Sequence, residues 1–174
     1  DLRVIGFTGE SGWALPADAA NPKLAPSPAT LTVLRERASD QSLQVLAKLP
    51  NAQRPAPLGH AGEQVYAVRF VGDRGYLVTF RRTDPLYVLD LANPADPQQA
   101  GELQMPGFSD YLFPLDKGLL LGVGRDADAN GRVGGVKIAL MDVTDPKSPK
   151  ALDSQTLGGA GSWTAIDPGP AGDE

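Results

Sequence analysis

Short apolar stretches alternate with turn residues along most of this chain. Residues 65–71, 75–81, 86–91 and 98–105 form one set of four, and 109–115, 119–124, 136–143 and 150–157 form a second. Each has strand length and is bounded by Gly, Pro, Asn or Asp; none sustains the spacing of three to four residues that marks an amphipathic helix. Asp73-Arg74-Gly75 predicts a tight hairpin in which Gly75 supplies positive φ. Thr83-Asp84-Pro85 predicts the next turn, and Pro94 and Pro97 stop the third strand and shape the connection after it. Residues 86–91 and 137–143 are almost continuously apolar, as a strand covered on both faces requires.

The two sets are copies of one unit. Leu91-Ala92-Asn93-Pro94-Ala95-Asp96-Pro97 and Val143-Thr144-Asp145-Pro146-Lys147-Ser148-Pro149 each follow an aspartate and carry prolines three apart, at an offset of 52 residues. Val71-Gly72-Asp73-Arg74-Gly75 matches Pro114-Leu115-Asp116-Lys117-Gly118 at an offset of 43, which places an insertion of nine residues within 125–135. Unit endings recur at Leu49-Pro50-Asn51, Met105-Pro106-Gly107 and Leu157-Gly158-Gly159. Residues 2–8, 30–36 and 43–49 then read as the second, third and fourth strands of an earlier unit, whose first strand is expected ahead of Asp1.

With strands A to D in each unit, a repeat of this length is the pattern of a β-propeller blade, a four-stranded antiparallel sheet. The expected architecture is all-β: a partial blade over residues 1–60 with a long Ala/Pro-rich loop, complete blades over 61–107 and 108–160, and the start of a further blade or a tail over 161–174. The alternative is a β-sandwich with a duplicated sheet. A closed propeller needs at least ~4 blades, so the blades form an incomplete ring, part of a larger one or an open arc. An arc is expected to associate with another copy to cover its end faces and edges.

Composition narrows the chemistry. The 174 residues include 20 Gly and 16 Pro against 41% hydrophobic residues, enough to bury a core while turning often. There are no cysteines and one histidine, which removes disulfide frameworks, thiolate metal sites and a Cys nucleophile, and disfavours a His-dependent triad. A net charge of −5 with no basic block gives nucleic acid or an anionic membrane surface little to bind. No apolar run approaches the ~18 residues of a membrane span. The chain starts inside an apolar run with neither an initiator Met nor a signal-like segment, so it reads as a processed product or an excised segment.

Within the insertion, Asp126-Ala127-Asp128-Ala129-Asn130-Gly131 places oxygen ligands at alternate positions before a glycine, a pattern that wraps a hard cation such as Ca²⁺. Asp126, Asp128, Asn130 and the Arg132 carbonyl are the candidate metal ligands, and no other cofactor is expected. The carboxylate count is low, because Gly134 and Lys137 stand where further acidic ligands are used elsewhere; a solvated acidic hairpin is the alternative. Arg69 and Asp110 fall on the A strands of adjacent blades, where they either line a central channel or bond between blades. Asp90 and Asp142 read as Asx caps of the turns after strand C. Arg81 and Arg82 beside Asp84 read as a surface ion cluster. His60, in a Pro/Gly-rich crossing, reads as solvated, and Trp13 and Trp163 as packing residues at loops or strand starts.

Residues 65–80, Asp84-Pro85-Leu86-Tyr87-Val88-Leu89-Asp90-Leu91, Gly107-Phe108-Ser109-Asp110-Tyr111-Leu112 and Gly131-Arg132-Val133-Gly134-Gly135-Val136-Lys137 resemble the secreted bacterial and archaeal proteins with a C-terminal β-propeller distantly related to WD-40 repeats. The resemblance is dense over 62–160 and loose over 1–60; after Trp163-Thr164-Ala165-Ile166 the chain departs from it. It implies a propeller and export, to the periplasm, the cell envelope or the medium, and it carries over no catalytic residue.

Because strands in a blade alternate in direction, B–C loops and D-to-A crossings share one face, while A–B and C–D turns share the other. The B–C loops differ in length, about 9–29, 82–85 and 125–135, and the opposite turns are stereotyped. Variable loops on a fixed scaffold are where function concentrates. The expected function is a binding or interaction scaffold working through the B–C face. The alternative is a lactonase-like propeller hydrolase, assisted by a metal at Asp126 and Asp128.

Overall fold

The computed structural model describes residues 1–7, 27–61, 63–80, 84–128 and 130–163, and of Asp84 the backbone alone. The loop read over 9–29 therefore lies almost wholly outside the described residues, as do Trp13, Arg81, Arg82, Thr83 and the run after Trp163.

Eleven strands are described, in three antiparallel sheets. Blade 1 holds β1 (Leu2–Phe7), β2 (Ala29–Glu36) and β3 (Leu43–Leu49). Blade 2 holds β4 (Gln64–Val71), β5 (Arg74–Phe80), β6 (Asp84–Asp90) and β7 (Gln98–Met105). Blade 3 holds β8 (Phe108–Leu115), β9 (Leu119–Ala127), β10 (Val133–Asp142) and β11 (Lys150–Leu157). Strands follow chain order in every sheet, the up-and-down arrangement of blades. Blades 2 and 3 meet chiefly through β4 and β5 against β8, and blade 1 meets blade 2 through β1 against β4. The sheets thus stack in sequence and come together along their first strands, and the duplicated-sandwich alternative falls.

Strand alternation explains the two cores. On β5 and β6, Tyr76, Val78, Leu86 and Val88 point toward blade 3 and join Leu112, Leu120 and Met141. The intervening Leu77, Tyr87 and Leu89 point the other way and join Leu31, Val33 and Leu58. Residues 86–89 are all buried, because a middle blade is covered on both faces. Full burial of each such side chain contributes roughly 1.5–3 kcal/mol.

The repeat extends to its irregularities. Each D strand carries one extra residue where the register slips against strand C, at the same place in blades 2 and 3, Ala100 and Leu152, and nearer the strand's end in blade 1, Leu46. Both complete A strands bulge as well, at Tyr66 and Asp110. Bulges increase twist locally, so these blades twist alike. The C–D turns are likewise duplicated. Asp90 Oδ1 accepts the Ala92 amide at 3.0 Å and Asp142 Oδ1 the Thr144 amide at 2.9 Å, the Asx caps expected from sequence. The next amide down donates to the A–B turn of the same blade, Leu91 to the Asp73 carbonyl and Val143 to Gly118, each at 2.8 Å.

Two local expectations need correction. In the A–B hairpin of blade 2 the positive φ belongs to Gly72 (54°), not Gly75. Gly75 lies inside β5, where a Cβ would press on Phe70 and Leu89 at 3.1–3.3 Å. The insertion read over 125–135 is mostly strand: β9 runs on to Ala127 and β10 starts at Val133, so it lengthens a hairpin whose turn is only 128–132.

Candidate functional site

The blade-to-blade crossings are unequal. Pro106 and Gly107 alone carry the chain from β7 to β8, while residues 50–63 carry it from β3 to β4. The short crossing is held tightly. Lys137 Nζ donates to the Pro106 carbonyl, and Gly107 has φ of 80° with its Cα against the Arg125 carbonyl, where a Cβ would collide. The long crossing stands off from the sheet and borders open space instead. Between it and β7 lies a cavity of about 940 Å³, bordered by Pro55, Ala56 and Pro57 on one side, residues 98–102 on the other, and His60 and Tyr87 within.

A polar knot secures this crossing. Asn51 Oδ1 accepts the amides of Gln53 and Arg54, both at 2.9 Å, which turns the chain. Arg54 then grips Asp96 of the blade 2 C–D turn with two parallel bonds, Nε to Oδ1 at 2.9 Å and Nη2 to Oδ2 at 2.7 Å. The guanidinium holds the Asp96 carboxyl below the usual carboxylate range. Farther on, Leu58 buries its side chain in the blade 1–blade 2 core, and its carbonyl accepts the Ala29 amide at 3.1 Å.

Glu63 is the centre of the knot. It is 7% exposed, and its carboxylate gathers donors from three directions. Oε2 accepts the His60 amide at 2.7 Å and the Thr79 hydroxyl at 2.6 Å, and Oε1 lies 3.0 Å from His60 Nδ1. The Tyr87 hydroxyl sits 2.9 Å from that same Nδ1 and donates to Oε2 at 3.4 Å. Nδ1 thus faces both the Glu63 carboxylate and the Tyr87 hydroxyl, while the His60 ring is otherwise largely exposed. Burial, together with the Glu63 charge, pushes the Tyr87 phenol up, so it stays a neutral donor.

The His60 ring is largely exposed, as read from the sequence, but that reading did not contain its polar partners. Glu63 follows three residues later, and Thr79 and Tyr87 arrive only through the pairing of β4, β5 and β6. One signal was legible: residues 50–63 of one crossing answer to two residues of the other.

The other candidates disperse. Asp128 Oδ1 accepts the amides of Asn130 and Arg132, both at 2.9 Å, while Asp126 Oδ2 takes the Thr156 hydroxyl at 3.3 Å. Asp128 thus closes its own turn, and Asp126 is drawn toward β11. Among the described residues no group of three or more His, Asp or Glu side chains is placed to hold a metal ion. Arg69 is exposed on β4, opposite Tyr76, and Asp110 occupies the β8 bulge, so the two are not equivalent positions. Desolvation raises the Asp110 carboxyl above its ordinary range, and nearby Arg125 offsets this in part. Where β4, β5 and β8 converge, Tyr66, Phe80 and Phe108 form an aromatic cluster with centroids 4.6–5.7 Å apart. Trp163 is 76% exposed.

Comparison with known proteins agrees with this architecture. The chain is similar to an uncharacterised protein of Methanocaldococcus jannaschii, 42% identical over 118 residues, and to one of Archaeoglobus fulgidus, 46% identical over 118 residues. Each match covers 68% of this chain and 17% of the relative, so the chain spans about a sixth of the length of the curated relatives it matches. No solved structure matches it. The family model described as the β-propeller domain matches residues 17–168, and the chain belongs to that family.

Proposed function

We propose that this chain is an exported β-propeller segment that acts as a binding scaffold, with its ligand taken up between strand β7 and the 50–63 crossing, which sets out from the B–C face. One observation carries the reading. Of the two described connections between blades, one takes two residues and the other fourteen, and the longer one borders an open cavity of about 940 Å³. That volume lies in the range of small-molecule and peptide sites, and its apolar walls with a few convergent polar groups have the usual make-up of one. Export rests on the resemblance of the blade motifs. The test is amide chemical-shift mapping of the chain against a panel of blocked peptides, oligosaccharides and nucleotides. Shifts centred on Gln99, Tyr87 and His60, absent in an Ala56→Trp variant that fills the cavity, support the reading. Shifts elsewhere, or none across the panel, overturn it.

A hydrolase is the second reading, and the Glu63–His60 pair favours it. A buried carboxylate 3.0 Å from Nδ1 orients the imidazole as in a general base. No Ser or Thr hydroxyl is bonded to that ring among the described residues, so water would be the nucleophile. Saturable hydrolysis of a γ-lactone, lost in His60→Gln, is the expected behaviour of such an enzyme. Turnover no faster than buffer sinks the reading.

A further inference from the structure

The cavity wall has a property that identifies a class of ligand. Five consecutive residues, Gln98, Gln99, Ala100, Gly101 and Glu102, border it. A regular strand shows only alternate side chains to one face, and the bulge at Ala100 adds one residue to that count, so a wall of five in sequence still takes in main chain at the edge of β7. β7 ends its sheet and pairs only with β6 among the described residues. Gly101 turns its Cα toward Pro146 and Pro149 of blade 3, which leaves its backbone uncovered by a side chain on that wall. The facing wall is Pro55-Ala56-Pro57, whose two prolines have no N–H to compete for the acceptors of β7.

Charge narrows the class further. The Arg54 guanidinium is occupied by both oxygens of Asp96. Glu63 lies beneath the floor with its oxygens engaged, and Glu102 is on the rim, with one oxygen bonded to Gln104. The cationic side chain is thus neutralised by a partner outside the cavity while a carboxylate stays on its border. Gln53, Gln98 and Gln99 add amides that both donate and accept, as peptide groups do.

We infer that the cavity receives an extended, uncharged or basic peptide segment, which pairs with the free edge of β7 as a fifth strand of blade 2 and runs beneath the Pro55–Pro57 bridge. Alternate main-chain amides of the peptide bond to β7, a mode in which backbone pairing supplies affinity and side-chain pockets supply selection. Tyr87 and His60 form the apolar-and-polar floor on which one inward side chain of the peptide rests. This inference rests on the proposed binding role and names the partner for that same site.

The experiment uses a random linear heptapeptide library displayed on phage and panned on the whole chain, followed by synthesis of the enriched sequences. The expected result is enrichment of alternating sequences with Lys or Arg in excess over Asp and Glu. Binding should fall at least about tenfold on both Ala56→Trp and Glu102→Lys, since several main-chain bonds of ~0.5–1.5 kcal/mol each are lost or opposed. N-methylation of every second amide should abolish binding in one register and spare it in the other. Equal loss in both registers, or no effect of Ala56→Trp, overturns strand addition at this edge. A library that enriches nothing overturns it as well. If an oligosaccharide from the mapping panel binds and Ala56→Trp abolishes that binding, the cavity remains a binding site and the peptide assignment fails.

Discussion

The Thr79 hydroxyl reaches the Glu63 carboxylate at 2.6 Å, joining the end of a loop crossing to the middle of a blade with both groups shielded from water. Thr79 belongs to β5 at a position where an apolar residue would satisfy packing alone. Glu63→Ala leaves the buried Thr79 hydroxyl without its acceptor while Tyr87 keeps His60 Nδ1 as a neighbour, and an unsatisfied buried group of this kind costs about 1–3 kcal/mol. Thr79→Val removes one bond and leaves the carboxylate its other donors, a loss nearer ~1–2 kcal/mol. Urea denaturation with circular dichroism measures both. A Glu63→Ala midpoint equal to wild type would show that the knot has no structural weight.

The strands of blades 2 and 3 were legible because their signals are local and duplicated. Pro94 and Pro146 sit in the same turn, Asp90 and Asp142 cap it in the same way, and the apolar runs between them have one buried arrangement. The bulges at Ala100 and Leu152 were not legible, since their cause is the twist of a four-stranded sheet and not a residue type. The Glu63 site escaped for another reason. Its four participants are spread over residues 60–87, and they meet only when β4, β5 and β6 pair and the crossing folds back over them. In the Asp126 motif the first aspartate ends a strand and the second opens a turn, where Asp128 Oδ1 accepts the amides of Asn130 and Arg132, a local arrangement that alternation in sequence does not disclose.

Gly107 is the residue on which the tight crossing depends. Its φ of 80° is unfavourable for any side chain, and a Cβ would meet the Arg125 carbonyl and Asp126 Cα. Gly107→Ala should therefore lower stability by about 1–3 kcal/mol. The loss appears as a fall in Tm, and displacement of the Asp126 strand end should shift the amide resonances of residues 125–127. A Gly107→Ala variant with wild-type Tm would mean that β8 and β9 separate freely at this corner.

Two kinds of carboxyl should give opposite pH dependence. Asp142, bonded by Thr144, and Asp96, gripped by Arg54, both have pKa values lowered on folding. Their contribution is present above the unfolded carboxyl value of ~3.9 and is lost as pH falls through the folded values. Asp110 has its pKa raised by desolvation, so it opposes folding at neutral pH, and that opposition disappears below ~3.9, where both states are protonated. Asp110→Asn should raise Tm at pH 7 and leave it unchanged near pH 3. Asp96→Asn should lower Tm at pH 7 and do little in acid. Carboxyl carbon titration by NMR checks the two directions directly, and a midpoint for Asp110 below that of Asp142 contradicts the assignment.

The 128–132 turn offers a clean separation of capping from metal binding. Asp128 holds two amides through one oxygen, and an Asn side chain can do the same. Asp128→Asn should keep the stability of wild type within ~0.5 kcal/mol, while Asp128→Ala should cost about 1 kcal/mol. Millimolar calcium chloride is expected to leave Tm unchanged. A calcium-dependent rise in Tm that Asp126→Asn abolishes would overturn the capping account and restore the alternating ligands to a metal role.

The outer faces of the first and third sheets lead to the last expectation. Cross-strand partners share a face, and on blade 1 these include Leu2 with Leu34 and Leu34 with Val45. On blade 3 they include Leu121 with Leu140 and Val136 with Leu157. Leu2, Val45 and Leu157 are each more than half exposed, on faces whose counterparts in blade 2 are covered by neighbouring blades. These two faces differ from each other, so the contact between copies is head-to-tail and closes only if the rotation brings blades round to a ring. The isolated 174-residue chain should therefore associate with rising concentration. Sedimentation velocity should show the weight-average mass climbing above the monomer value. Val45→Lys or Leu157→Lys, each at an exposed site that the fold tolerates, should return the chain to a monomer. The same mass at every concentration in the unmodified chain would exclude blade-to-blade association through these faces.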